Sequence, residues 1–327
     1  MMKKIALFIV KSRVATVIAS LLCIGLWLYA IMGVGQGNTL VDNVVWNYAV
    51  IVLYLLSGFL IVRFTRRYGI SSKHTLLPLM FLVMGYSLVP QLPTILMGSL
   101  QLIVTIAAYH ILQVTYRESY AMGSYFMAFA MLSAGTLVCP QLLFVVPLLI
   151  LCGLPLQSLH FRTICASILG LLLPYWIAFS VLFLTDNMHR IPMFFASALP
   201  SSCAFPLGWI NLPVSTFVIP IPAALIPAVW VMLILIPVSI YVITNSQMKV
   251  LTRASLYSTL LWMTILLAAS VVFPALYGII LPALLFFTAF IGSSLFSGHL
   301  TQGRSIYLVV LVVCWLLFYS LFVCNIF

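Results

Sequence analysis

Apolar stretches of about 15 to 24 residues recur along this chain, each bounded by a short polar or basic interruption, and a helix needs about 20 apolar residues to cross a bilayer. That pattern predicts about eleven helices, near 14–34, 47–64, 75–89, 94–112, 121–138, 140–156, 163–184, 220–243, 255–273, 275–296 and 306–326. The expected fold is therefore all-α: a polytopic transmembrane helix bundle forming a single integral-membrane domain over residues 1–327. The longest stretch that does not read as a span begins TDNMHRIPMFF at residue 185 and continues to about residue 219, where the next apolar run starts.

Proline marks the turns. Ser87-Leu-Val-Pro, Thr136-Leu-Val-Cys-Pro and Ser270-Val-Val-Phe-Pro each place a hydroxyl, a short apolar stretch and a proline at a predicted hairpin tip. Proline suits the first turn of a returning helix, where its missing N–H has no partner to lose. The eighth helix is expected to open with Pro220, Pro222 and Pro227 and to carry Pro237 further in. Such a break is either a kink required by packing or the mark of a helix lining a cavity beneath the adjoining loop.

The charges orient these helices. Of fourteen Lys and Arg residues, Lys3, Lys4, Lys11 and Arg13 precede the first span, Arg63, Arg66, Arg67 and Lys73 follow the second, and five more punctuate the rest at intervals matching an out-and-back helix pair. Basic residues near span ends stay on the cytoplasmic side. The N-terminus is thus expected inside and the C-terminus outside, with Arg190 the one basic residue on the outer face. The segment 185–219 becomes an outer, periplasmic loop.

A composition of 65% hydrophobic and 5% charged residues, with mean hydropathy +1.27, lies far outside the soluble range and names the lipid bilayer as the first partner. The net charge of +11 does not imply nucleic acid, because its residues punctuate apolar runs instead of clustering on one face. The first apolar run lacks a small-x-small cleavage site and reads as an uncleaved first helix. Seven cysteines without metal-ligand spacing read as small core residues, except that Cys139 and Cys203 fall on the expected outer face, either free or bridged.

Only three acids occur: Asp42 in the first outer loop, Glu118 beside Arg117 in an inner loop, and Asp186 at the outer end of the seventh span. Asp42, Asp186, His189 and Arg190 are the whole ionisable supply of the outer face. As a site, Asp42 and Asp186 would be the catalytic acid or base, while His189 and Arg190 would bind substrate, the arginine gripping phosphate through a two-pronged contact. As helix-end residues, the two aspartates would only cap or solvate. No metal-binding spacing, Walker loop or nucleotide fingerprint appears, so no metal is expected and no cofactor is indicated. No acid falls mid-span, which argues against proton- or sodium-coupled transport.

The motifs FTRRYGISSKHTLLP, TLVCPQLLFVVPLL and LLLPYWIAF resemble those of a family of uncharacterised multi-pass inner-membrane proteins of Gram-negative bacteria. More distantly, an acid in the first outer loop, at Asp42, is similar to polyprenyl-phosphate-sugar-dependent membrane glycosyltransferases. These resemblances imply an inner-membrane protein of cell-envelope biogenesis that handles a lipid-linked glycan at its outer face, with glycosyltransferase activity one expectation. A flippase or transporter, and a non-catalytic subunit of an envelope assembly, are the alternatives.

Overall fold

The computed structural model describes residues 17–18, 20–22, 24–25, 44–70, 76–89, 96–118, 120–138, 140–189, 191–192, 194, 209–214, 217–222, 225–245, 248–272, 277–296 and 302–326. In chain order these form α1 (Val44–Arg67), α2 (Leu77–Ser87), α3 (Leu96–Val114), α4 (Met122–Val138), two 3-10 segments (Pro140–Phe144 and Val146–Gly153) and α5 (Phe161–Leu184). A two-stranded ribbon follows, β1 (Trp209–Val214) and β2 (Phe217–Pro222), then α6 (Leu225–Thr244), α7 (Val250–Val272), α8 (Tyr277–Gly292) with a 3-10 turn (Ser293–Phe296), and α9 (Gln302–Ile326). Among the described residues the architecture is helical apart from that ribbon, whose antiparallel register sets Asn211 opposite Pro220.

Five of the described segments are long and apolar enough to cross a membrane: Phe161–Leu184, Leu225–Thr244, Val250–Ser270, Tyr277–Phe296 and Gln302–Ser320. Their burial differs sharply. Only 17% of the most apolar window of α5 is enclosed by protein, against 94% for α8 and its 3-10 turn. Exposed apolar side chains such as Trp176 and Leu184 on α5 are stable only against an apolar surrounding, which for helices of this length is lipid. The chain is a multi-pass membrane protein.

Two expected spans take other forms. α2 has 11 residues, about 16 Å at 1.5 Å per residue, which is half of a hydrocarbon core of about 30 Å. It is instead apolar and buried nearly all round. The expected helix at 140–156 is a pair of 3-10 segments, because Pro140, Pro147 and Pro155 each remove a backbone donor within this one stretch. Its burial follows the tighter period, with Val146, Leu149 and Cys152 enclosed at every third residue. The eighth helix begins at Leu225, five residues later than expected, since Pro220 and Pro222 lie in β2 and Pro227 alone occupies the helix's first turn.

The chain divides into two compact units, Met1–Ser99 with Phe205–Met248 and Leu284–Phe327, and Leu100–Ala204 with Lys249–Ala283. In the first, α2 is the centre. Gly58 of α1 comes so close that an added Cβ would sit 3.0 Å from Leu79, Phe81 packs on Phe296 at 5.8 Å, and the indole N–H of Trp315 on α9 donates to the Met84 carbonyl and to Ser87 Oγ at 3.1 and 2.9 Å. The last contact serves the Met84 carbonyl, one of those that a short helix leaves without a helical donor at its C-terminal end.

In the second unit α4 and α5 run side by side in the same direction. Gly170 permits this, because a Cβ there would meet the Phe126 carbonyl oxygen at 2.4 Å. Further along, Ser133 donates to the Leu171 carbonyl at 2.6 Å and Thr136 bonds the Tyr175 hydroxyl. A parallel neighbour requires a return path, and the 3-10 segments supply it: they leave the end of α4 at Pro140 and finish with Gly153 against Tyr125, near where α4 began. At about 2.0 Å per residue the stretched 3-10 form retraces α4 in few residues.

Candidate functional site

The expected outer-face residues divide by what the structure describes. Asp42 and Arg190 lie outside the described residues, as do Cys139, Cys203 and most of the segment 185–219. Asp186 and His189 are described, and both are exposed on the turn that follows α5.

Asp186 has φ 57°, in the left-handed region, and its backbone closes the helix: Asp186 N–H donates to Phe183 O at 3.2 Å and Asn187 N–H to Leu182 O at 2.9 Å. This pair of bonds is the Schellman termination. The end of α1 uses the same arrangement, with Gly69 at φ 65°, Gly69 N–H on Arg66 O at 3.2 Å and Ile70 N–H on Thr65 O at 2.9 Å. Glycine takes that conformation without strain, whereas an aspartate there sets its charge beside the negative end of the helix. Asp186 thus occupies a helix-ending position at some cost, and its carboxylate projects from an exposed turn.

A larger feature lies along α6 and α9 in the first unit. Pro237 lacks the N–H that would bond the carbonyl four residues earlier, at Leu233, and the Tyr307 hydroxyl of α9 donates to that carbonyl instead. Around this point run two cavities that share Pro237 and Tyr307. One, of 460 Å³, is lined by Leu225, Ala228, Val229, Met232 and Ile236 and is almost wholly apolar. The other, of 300 Å³, is also mostly apolar and continues past Ile240 to Tyr241, Gly303 and Arg304.

Together they make one groove with unlike ends. The apolar end follows from α6 residues at positions 225, 228, 229, 232 and 236, a 3.6-residue spacing that keeps them on one face. The other end carries a single charge, Arg304, whose guanidinium stands 4.4 Å from the centroid of the Tyr241 ring. Stacking on an aromatic face holds a guanidinium without consuming its in-plane N–H donors. Among the described residues of this unit there is no carboxylate. Apolar length followed by an arginine suits an amphiphile with an anionic head.

The sequence left Pro237 either as a packing kink or as a break in a helix that lines a cavity; in the structure Pro237 borders both cavities. Sequence reasoning missed Arg304, reading it only as an inner-loop charge. The usable signal was Arg304 three residues before Tyr307 at the start of an apolar helix, which sets cation and hydroxyl on one face. Among the described residues, no group of three or more His, Cys, Asp or Glu is placed to hold a metal ion. No family model, curated protein or solved structure matches the chain. What the helices define is a multi-pass membrane protein, with a groove along α6 and α9.

Proposed function

We propose that the chain is a bacterial inner-membrane protein of cell-envelope biogenesis that binds a lipid-linked substrate of the polyprenyl-phosphate glycan class. One observation carries the reading: the groove along α6 and α9 offers an apolar bed for an isoprenoid tail and ends at Arg304 on Tyr241, where a phosphate would sit. In this reading the N-terminus is inside and the C-terminus outside. The segments at 77–87 and 140–153 count among about eleven passes although neither is a full α-helix, since partly irregular backbone is tolerated where protein covers it.

The groove by itself performs holding and presentation, which favours a carrier or presenting subunit over sugar transfer. In this orientation Arg304 lies toward the inner face, so any transfer chemistry at Asp42 and Asp186, with His189 and Arg190 gripping the substrate, would belong to a second site at the outer face, reached only after the lipid head has crossed. The test is photo-crosslinking in nanodiscs with a diazirine-bearing polyprenyl phosphate and, separately, the uncharged polyprenol. The phosphate is expected to label α6 and α9 more strongly, and Arg304→Gln to remove the difference. Equal labelling by the uncharged alcohol would overturn the reading. Movement of the lipid across vesicles without sugar transfer marks a carrier, and transfer abolished by Asp42→Asn marks an enzyme.

A further inference from the structure

The second unit holds a different group of polar side chains, at the ends of α3 and α7. The Tyr109 hydroxyl lies 2.6 Å from Thr259 Oγ1, and the Tyr109 ring packs edge-on against Trp262 at 5.7 Å. Thr259 spends its own proton on the Ser255 carbonyl at 2.7 Å, so Tyr109 is the donor of the pair. The helices run antiparallel here. The end of α3 is tied to the turn after the 3-10 segments by Thr115 on Ser158 at 3.1 Å and by Arg117 N–H on Leu156 O at 3.0 Å, and the first half of α7 is tied to the same region by Ser258 on Cys152 O at 2.9 Å.

One turn on from Tyr109 is Gln113 and one turn back from Thr259 is Ser255, so helix periodicity puts each on the same face of its helix as the Tyr109–Thr259 contact. Gln113 is 2% exposed and Ser255 1%. Neither Nε2 nor Oε1 of Gln113 has a hydrogen-bond partner, and neither has Ser255 Oγ. The serine is unusual for this chain, in which buried hydroxyls such as Ser57, Thr65, Ser87 and Thr288 donate to a carbonyl three or four residues back. Toward the ends of the same helices the Tyr116 hydroxyl and Arg253 Nε are also buried without a hydrogen-bond partner.

A lone buried orphan is a local imperfection. Five atoms at the meeting ends of two helices instead point to something polar that belongs between them, because each orphan bears its full desolvation penalty. The inventory says what kind. Gln113 Nε2 and Arg253 Nε can only donate and the two hydroxyls can each donate, whereas Gln113 Oε1 is the one atom that can only accept. Arg253 is a fixed cation, with Lys249 and Arg117 near the same helix ends and Glu118 the acid beside Arg117. These helix ends are rich in donors and in positive charge.

We propose that the facing ends of α3 and α7 form a hydrated cleft that takes an oxyanion, a phosphoryl or carboxylate group, between Gln113 and Ser255. Its source is either a free solute or the headgroup of a lipid, and the chemistry recognised is the same. The site is independent of the α6 and α9 groove.

Access and occupancy can be read on the full chain by placing a thiol there. Ser255→Cys is treated with an anionic methanethiosulfonate reagent and followed by intact mass, with Ser258→Cys as control, since Ser258 is equally enclosed but bonded to Cys152 O. Ser255→Cys is expected to react an order of magnitude faster than the control. Inorganic phosphate at about ten times its dissociation constant should slow that reaction about tenfold. Protection by inorganic phosphate in detergent identifies a solute, and protection only in nanodiscs containing phosphatidic acid identifies a headgroup. Gln113→Cys repeats the measurement from the facing helix should the serine variant fold poorly, and Gln113→Glu, which replaces two donors with a negative charge, should keep the access but lose the protection. No reaction at either cysteine, or a reaction that neither phosphate source slows, would overturn the proposal; in the second case water alone fills the cleft.

Discussion

Replacing Tyr307 with Phe removes one oxygen and almost no volume, so its effect isolates the bond from Tyr307 to the Leu233 carbonyl. That carbonyl has lost its helical donor to Pro237, and Tyr307 is the group that replaces it. In water-soluble cores an acceptor left buried and unpaired costs about 1–3 kcal/mol. Within membranes, measured side-chain hydrogen bonds average only about 0.6 kcal/mol and reach about 1.7, because the unfolded helices also find partners. A backbone carbonyl inside a helix has few other partners, so about 1–2 kcal/mol is expected. The decisive measurement is a double-mutant cycle with Pro237→Ala, using reversible unfolding in mixed SDS micelles followed by circular dichroism. Alanine restores the N–H, gives Leu233 its helical partner and makes the tyrosine hydroxyl redundant. Tyr307→Phe should therefore cost about 1–2 kcal/mol in the parent and only a few tenths in the Pro237→Ala background, a coupling above the range for independent sites. Equal costs in both backgrounds would show that Tyr307 does not serve the proline break, and the account of how α6 and α9 are held together at the groove would fail.

Gly170→Ala should destabilise the chain by about 1–3 kcal/mol in the same unfolding assay, because its Cβ would sit 2.4 Å from the Phe126 carbonyl oxygen, which belongs to backbone and cannot swing away. Asp186→Gly should leave stability unchanged or raise it by up to about 1 kcal/mol, while Asp186→Ala lowers it, since residue 186 is left-handed at a helix terminus; a glycine variant that is stable yet fails to complement a deletion strain would show that the carboxylate is used in chemistry. Trp315→Phe should loosen the end of α2 by about 1–2 kcal/mol through loss of the donor shared by Met84 O and Ser87 Oγ, and Ser87→Ala should cost less in the Trp315→Phe background than in the parent. Thiol labelling in whole cells should modify a cysteine placed at Ser201 directly and one at Gln302 only after the membrane is opened; the reverse pattern would overturn the assignment of sides.

The helical class was legible because it depends on a quantity that the sequence carries locally, the length of apolar runs. The long helices α5 to α9 were expected within a few residues of where they lie, since apolar length and flanking charge decide them. α2 and the 3-10 pair were read as ordinary spans for the same reason. Hydropathy reports that a segment avoids water and does not distinguish lipid from protein as the apolar surrounding. What converts 140–153 from α to 3-10 is the spacing of Pro140, Pro147 and Pro155, a signal present in the sequence but outweighed there by apolar length.

The site divides along a similar line. Charged residues are conspicuous in a chain with so few, so attention falls on Asp186 and His189, yet the structure gives Asp186 a backbone task that its side chain does not perform. The two arrangements richest in unmet chemistry are built from residues that look ordinary in one dimension. Arg304 reads as a topology marker until Tyr241, far earlier in the chain, turns its ring beneath it. Gln113 and Ser255 are each unremarkable inside an apolar helix, and their partnerless atoms become visible only when Tyr109 and Thr259 fix the register of α3 against α7. In a membrane chain that has shed its charges, neutral donors facing one another across a helix pair are more specific indicators of a ligand than the remaining acids, because a buried orphan must be answered by some partner whereas an exposed carboxylate is already answered by water.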